Sequence, residues 1–532
     1  MSHRRRQAKS RSEIRQLLSS RSMLAALTCV LLGSIDLTVV ASILPQMIGD
    51  LGVNTADVDR YIWAVNAYLI AYIVAIPLAG RTSDVIGRQP TFIGCLLIFL
   101  GGSVVCATSE TLVDLIVGRA IQGFGGGGLL PVALALAGDR LGRKSQLAGI
   151  GFVSAVETVG WILGPIYGAV ITGLLDFTDE PWRWVFWINV PILALLMLAL
   201  RGFSRRPGPS RDRSASRIDL AGAILLSMAL TTLNLALASG GELGASTGTG
   251  IRAMGGTENP LADWAPFLLA VAVISTILLV AWELRSRHPL LPITLYRQGP
   301  FLAAIIVNLC LGAILMVTMV NVPVVVALTT DDARIGAMSA VLLAPFTAAI
   351  AAASLAASMI SRRIGALATM ATGIALAATG SAMIGVLLDQ DNTWTMAPGL
   401  VIGGVGIGLL LPALGTLPIQ LAGGSERGAG ASSALMFRLL GMTVGVSILT
   451  ALGVRRLQTL TGRLEPIVRE PDESTALFLT RQREFIIDYA IPLSLQVIGE
   501  TFIAAAVIAL VAAAPIALLA RYFTLEAEPS DG

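Results

Sequence analysis

The sequence predicts an all-α polytopic membrane protein, and three observations carry that prediction. Of its 532 residues 55% are hydrophobic and only 13% charged, where a soluble protein carries about 25% charged residues. Mean hydropathy is +0.77. The charges cluster in short connections between apolar runs, many of them 18 residues or longer, which is the length a helix needs to span a bilayer. These features exclude a soluble multidomain enzyme. They leave a bundle in which each backbone polar group is satisfied within its own helix.

Apolar runs give fourteen expected spans, at roughly 23–48, 61–80, 90–107, 111–137, 147–174, 183–200, 218–238, 263–283, 300–328, 338–360, 366–388, 394–421, 428–453 and 492–521. The basic start, His3 to Arg21, leads directly into a first run too long for a signal-peptide core, so it reads as a retained start-transfer helix. Arginine placement sets the orientation. Arg4, Arg5, Arg6, Arg11, Arg15 and Arg21 precede the first span, and Arg201, Arg205, Arg206, Arg211, Arg213 and Arg217 follow the sixth. Alternate connections are acidic, as at Asp176, Asp179 and Glu180 or at Asp389 and Asp391. Both termini are therefore expected in the cytoplasm, with the chain in the plasma (inner) membrane.

The basic connection after span six and the Arg285–Pro292 stretch divide the chain six, two and six. The expected segments are a basic cytoplasmic tail (1–22), an N-terminal six-helix half (23–203), a cytoplasmic linker with two inserted helices (204–298), a C-terminal half (299–523) and a short cytoplasmic tail (524–532). Two connections are less plain. Val322–Leu328, followed by polar Thr329 to Arg334, reads as a short β-hairpin as readily as a helix end, because β-branched residues favour strands. Between Gly453 and Pro492, about 454–491, leucines at helical spacing predict a helical hairpin outside the membrane that turns near Pro466 to Asp472.

Ionisable residues inside the runs are few and costly to bury, so each is a functional candidate. Asp36 is a mid-span carboxylate able to carry a proton. Arg119 and Arg438 are buried cations, and Glu157 is either a second protonatable site or a gating contact. Gly160, Gly164 and Gly168 form a small-residue stripe that allows close helix approach, with Pro165 beside it. The Gly123–Gly128 run matches a dinucleotide-binding spacing but lies in an apolar span with no preceding strand, so it reads as packing glycine. No phosphate-binding loop of the Walker type occurs, so coupling to an ion gradient is expected. Cys29, Cys95, Cys106 and Cys310 read as small buried hydrophobes; no metal, cofactor or nucleic acid is expected.

The stretch Gly80-Arg81-Thr82-Ser83-Asp84-Val85-Ile86-Gly87-Arg88 resembles the signature loop between the second and third helices of major facilitator transporters. That resemblance implies a cytoplasmic gate made by Gly80, Arg81, Asp84, Gly87 and Arg88, with Arg427 facing Asp84 from the other half. The Asp36-Leu37-Thr38-Val39-Val40 run ending at Pro45, the Arg119…Gln122-Gly123 pattern, the Gly160–Gly168 stripe with Pro165 and the Arg438-x-x-Gly441 pattern resemble motifs of the fourteen-helix drug:proton antiporter branch. The branch implies a major facilitator fold and alternating access, with Asp36, Glu157, Arg119 and Arg438 in proton coupling. Glu157 and the extended connection before the last span are most similar to the mycobacterial exporters that work with a periplasmic lipoprotein. These are the triacylglyceride and multidrug exporters. Their likeness implies a proton-driven, monomeric exporter of lipidic substrates. A general multidrug:proton antiporter is the rival expectation, and a non-transporting scaffold a lesser one.

Overall fold

The computed structural model describes residues 21–51, 58–140, 146–200, 219–240, 262–286, 289, 293–330, 335–422, 427–462 and 474–527. Among them every regular element is helical. The first half comprises α1 (Arg21–Asp50), α2 (Val58–Val85), α3 (Arg88–Ala107), α4 (Leu112–Arg140), α5 (Gln146–Leu174), α6 (Arg183–Trp187) and α7 (Asn189–Leu200). An inserted pair follows, α8 (Leu220–Gly240) and α9 (Ala265–Arg285). The second half comprises α10 (Gly299–Thr329), α11 (Ile335–Ile364), α12 (Ala366–Leu387), α13 (Ala397–Ala422), α14 (Arg427–Thr461), α15 (Thr475–Phe485) and α16 (Ile491–Ala527). Ten stretches of the described residues are helical, long and apolar enough to cross a membrane, and two shorter apolar helices lie at Arg183–Leu198 and Ala221–Leu233.

The two halves pack by the same rule. Gly123 and Gly127 of α4 lie on the carbonyls of Tyr68 and Tyr72 in α2. Gly404 and Gly408 of α13 lie in the same way on the carbonyls of Phe346 and Ile350 in α11. The dinucleotide-like glycines therefore serve packing, since a side chain at Gly123 or Gly125 would run into the backbone of α2 or α3. At the end of α2, Gly87 takes φ +111° before α3 begins; at the end of α11, Gly365 takes φ +89° before α12 begins. An L side chain is strained in that region, so glycine makes both corners. The halves meet along α2 with α14 and along α5 with α11.

The inserted pair stands beside the bundle. α8 touches both α2 and α14, whereas α9 packs chiefly on α8. Asp219 caps α8 by accepting from the Gly222 amide at 2.8 Å and binds α9 by accepting from Trp282 Nε1 at 2.8 Å and Ser286 Oγ at 3.2 Å. A carboxylate at a helix N-terminus satisfies donors that have no partner within the helix.

Two expectations change. Val322–Leu328 is not a β-hairpin: it forms the closing turns of α10, which runs through Pro323 to Thr329. In an apolar medium a helix satisfies its own backbone, and this requirement overrides the strand preference of valine. The charged connection at 80–89 is also shorter than its composition implies, because α2 continues through Val85 and leaves Ile86 and Gly87 as the corner. α14 reaches Thr461 and α15 starts at Thr475; the expected turn near Pro466 to Asp472 lies outside the described residues.

Candidate functional site: a buried ion pair between α1 and α4

Asp36 and Arg119 form a buried ion pair at 2.8 Å, with side-chain exposures of 3% and 0%. Asp36 comes from the middle of an apolar helix and Arg119 from the first third of one, and a lone charge at a helix centre in a membrane costs about 2.5–3.5 kcal/mol or more. Pairing and a full set of hydrogen bonds offset that cost. Arg119 Nη1 donates to both Asp36 Oδ2 and Gln122 Oε1, each at 2.8 Å. Its Nη2 donates to the Asp36 carbonyl at 3.1 Å, and its Nε to the Ala64 carbonyl at 3.3 Å. The guanidinium also stacks on Tyr68, 4.1 Å from the ring centre, an attraction that strengthens when water is excluded.

The other Asp36 oxygen is held by Asn189 of α7, whose Nδ2 donates at 3.1 Å. Gln122 Nε2 and Asn189 Nδ2 both donate to Ser103 Oγ, at 2.8 and 3.3 Å. α4 and α7 thus bond the α1 carboxylate directly, and Ser103 of α3 ties their two amides together. Asn189 and Ser103 went unnoticed in the sequence because neutral polar residues in an apolar run resemble ordinary core serines and asparagines. Their shared position between charged neighbours appears only in three dimensions. Chemically, the network can hold Asp36 as a carboxylate, and that carboxylate is the one charged acceptor among the groups that fix the Arg119 guanidinium.

The antiporter-like stripe supports this centre from behind. A side chain at Gly160 would meet Ser34 and the Leu31 carbonyl, and one at Gly164 would meet Thr38 and the Ile35 carbonyl. α5 therefore lies backbone to backbone on α1, just beside Asp36. Thr38 Oγ1 donates across this seam to the Trp161 carbonyl at 2.9 Å. Gly168 is buried further along the same helix, and the Pro165 side chain lies outside the described residues.

Glu157 and Arg438 form a second charged centre, on α5 and α14. Both are buried, at 3% and 6% exposure. Glu157 Oε1 and Arg438 Nε have no hydrogen-bond partner. The two charges act on each other electrostatically without contact, and Tyr72 lies within reach of both. Arg438 also stands over the Trp161 ring at 5.5 Å. Tyr68 and Tyr72, with ring centres 5.7 Å apart, lie between the two centres. Glu500 pairs with Arg456 at 2.9 Å on the exposed surface and belongs to neither centre.

At the gate-like corner, Ser83 Oγ donates to the Gly80 carbonyl at 2.7 Å and Arg88 Nη1 donates to Ser83 Oγ at 2.6 Å. Arg81 and Asp84 lie on α2 and Arg427 begins α14; their side chains lie outside the described residues.

Comparison with known proteins agrees with this architecture. Residues 26–446 match the model of the Major Facilitator Superfamily. A triacylglyceride transporter of Mycolicibacterium hassiacum is 34% identical over 441 residues, covering 80% of this chain and 78% of the relative. One from Mycolicibacterium smegmatis is 31% identical over 91% of this chain and 84% of its own. One from Mycobacterium tuberculosis is 32% identical, covering 86% and 88%. The fold matches the crystal structure of a bacterial homolog of the human lysosomal transporter Spinster, in an inward-facing and occupied conformation. That match has TM-score 0.61 and 15% identity and covers 97% of this chain and 99% of the other. With the paired halves, the buried charges and these matches together, the chain belongs to the major facilitator superfamily and is a multi-pass membrane transporter, not an enzyme.

Proposed function

We propose that this transporter is a proton-coupled exporter that moves lipidic substrates, triacylglycerides foremost, by alternating access from the inner membrane to the periplasm. The observation that carries the reading is the Asp36–Arg119 pair, a titratable carboxylate buried in the core of the first half and bonded from two other helices, by Arg119 of α4 and Asn189 of α7. A proton arriving at Asp36 removes one charge from the pair and weakens the Arg119 bonds to it. That change in a low-dielectric core is large enough to bias two arrangements of the halves. The substrate class is supported by the names of the mycobacterial relatives and by their coverage of most of the chain.

In this reading fourteen helices span the bilayer, both termini are cytoplasmic, and the Gly87 corner lies on the cytoplasmic side. Arg81, Asp84 and Arg88 close that side against Arg427. Glu157 and Arg438 supply a second charge-sensitive contact between the halves, and the Gly160–Gly168 stripe holds α1 and α5 together as one rigid unit. The α14–α16 region projects into the periplasm, where it guides lipid outward or docks a lipoprotein carrier.

The test is transport in proteoliposomes under an imposed pH gradient, following triacylglyceride and a cationic dye in parallel for the wild type and Asp36→Asn. Lipid movement that needs both the gradient and Asp36 is the expected result. Dye movement without lipid movement would replace this reading with a general multidrug:proton antiporter. Full lipid transport by Asp36→Asn would remove Asp36 from the mechanism.

A further inference from the structure

One turn of α2 is held on two opposite faces. On one face Arg119 Nε donates to the Ala64 carbonyl at 3.3 Å, and its guanidinium rests on Tyr68. Residues 64 and 68 are one turn apart and share that face. Asn66 lies between them, about 200° away around the helix. Its Nδ2 donates to Ser447 Oγ of α14 at 3.4 Å. This hydrogen bond crosses from one half of the transporter to the other, and both residues are buried, at 0% and 3% exposure.

The position of the bond matters. Asn66 sits in the first third of α2, remote from the Gly87 corner, and Ser447 sits in the later half of α14. It therefore joins the halves on the side opposite the gate-like corner. The bond is long and Asn66 Oδ1 has no partner, so the contact is weakly held. The glycine contacts that equate Tyr68 with Phe346 equate Asn66 with Ala344, which has no polar side chain. The tie is built into one repeat only, the repeat that also holds the Asp36–Arg119 pair.

We propose that Asn66 is a positioning residue that transmits the charge state of Asp36 to the closure of α2 against α14 on the periplasmic side; this rests on the alternating-access reading above. While Asp36 is ionised, it fixes Arg119, and Arg119 fixes the Ala64–Tyr68 turn in the register that lets Asn66 reach Ser447. When Asp36 is neutralised, Arg119 loosens, the turn is released, and the weak cross-half bond parts.

The experiment uses the full chain in lipid nanodiscs, with the four cysteines replaced by alanine. Nitroxide labels go at Phe177→Cys and Asp391→Cys, exposed positions in the connections after α5 and α12. Pulsed electron paramagnetic resonance then reads the open and closed distances on that side. Asn66→Ala and Ser447→Ala should each raise the open-to-closed ratio roughly three- to tenfold, the effect of losing one buried neutral hydrogen bond. Asp36→Asn should shift it in the same direction, and neither substitution should add to Asp36→Asn, since all act on one linkage. Ser447→Thr should restore the closed population. Unchanged distances in both Asn66→Ala and Ser447→Ala, or full additivity with Asp36→Asn, would overturn the proposal. Ser447→Ala removes a single oxygen and decides the matter if Asn66→Ala does not fold. The measurement needs no substrate, so absent lipid transport with the expected distance shifts would refute the lipid reading alone.

Discussion

Glu157 and Arg438 occupy the same position in the two structural repeats and carry opposite charges. Glu157 lies three residues before Gly160 and seven before Gly164, the glycines that set α5 on Leu31 and Ile35 of α1. Arg438 lies three residues before Gly441 and seven before Gly445, the glycines that set α14 on Leu309 and Ala313 of α10. The same register equates Asp36 with Ile314, and Arg119 with Leu400, both of them buried and apolar. The repeats are thus complementary at one charged position and unequal at the other.

If Glu157 and Arg438 act as a charge pair in some state of the cycle, their effects must be coupled. Glu157→Gln and Arg438→Gln should each reduce gradient-driven transport at least tenfold. The double substitution should do little worse than either single one, since residues acting as a unit are not additive. Transport rates of the four variants form the cycle, and a multiplicative double variant would separate the two roles.

Arg119→Ala leaves the Asp36 carboxylate buried without its cation. Removing one member of a buried pair typically costs about 3–5 kcal/mol, so a large drop in the unfolding midpoint is expected. Asp36→Asn with Arg119→Ala should recover part of that loss, and thermal unfolding in detergent checks both.

The α1–α5 seam has no room for a methyl group at Gly164, where it would meet Thr38 and the Ile35 carbonyl, whereas Gly173 on the same helix has nothing within 4 Å. Gly164→Ala should destabilise by about 1–3 kcal/mol through overpacking. Gly173→Ala should be neutral or stabilising by about 0.5–1 kcal/mol, because alanine is the better helix former. Comparing the two melting curves isolates packing from helix propensity.

Deleting Gln458 to Arg483 tests the role proposed for the connection before the last helix. Triacylglyceride movement should fail, while movement of a cationic dye, if the protein supports it, should largely persist. Equal loss of both would assign the segment to folding instead of substrate handling.

Outside the membrane, Glu180 accepts from Arg183, and that bond holds its carboxyl below the usual range. Arg183 also donates to the Ala107 and Ser109 carbonyls, at 3.1 and 2.6 Å, and stacks 4.6 Å from the Trp182 ring centre. Glu180 and Arg183, with Trp184 and Trp187, line a cavity of about 520 Å³. A depressed carboxyl stabilises the fold above its unfolded pKa and loses that contribution as pH falls through the folded value. Tryptophan fluorescence should therefore change on acidification below about pH 4, where glutamate ordinarily titrates, and Glu180→Gln should abolish this transition.

Much of the site could be read from the sequence because charge is conspicuous in an apolar run. Asp36, Arg119, Glu157 and Arg438 needed only their surroundings to be noticed. Asn66, Ser103, Asn189 and Tyr68 were hidden because small polar and aromatic residues are ordinary inside helices, and which of them face a charge depends on how α2, α3 and α7 are packed. The pairing of Asp36 with Arg119, 83 residues apart in the chain, is a fact of tertiary structure. The hairpin expected at Val322–Leu328 failed because strand propensity describes a pleated surface wetted on one side, and this segment is instead the end of a long apolar helix. The helix reaches Val85, beyond the apolar run at 61–80, because the charges at Arg81 and Asp84 end its apolar part and not the helix.

The inserted helices have a mechanical consequence. Asp219 fastens the start of α8 to the end of α9 through Trp282 and Ser286, so the pair is a single stiff strut. Yet α8 leans on α2 from one half and α14 from the other. If the halves rock against each other as proposed, a strut resting on both cannot stay seated on both. In that motion it would ride with one half and slip along the other.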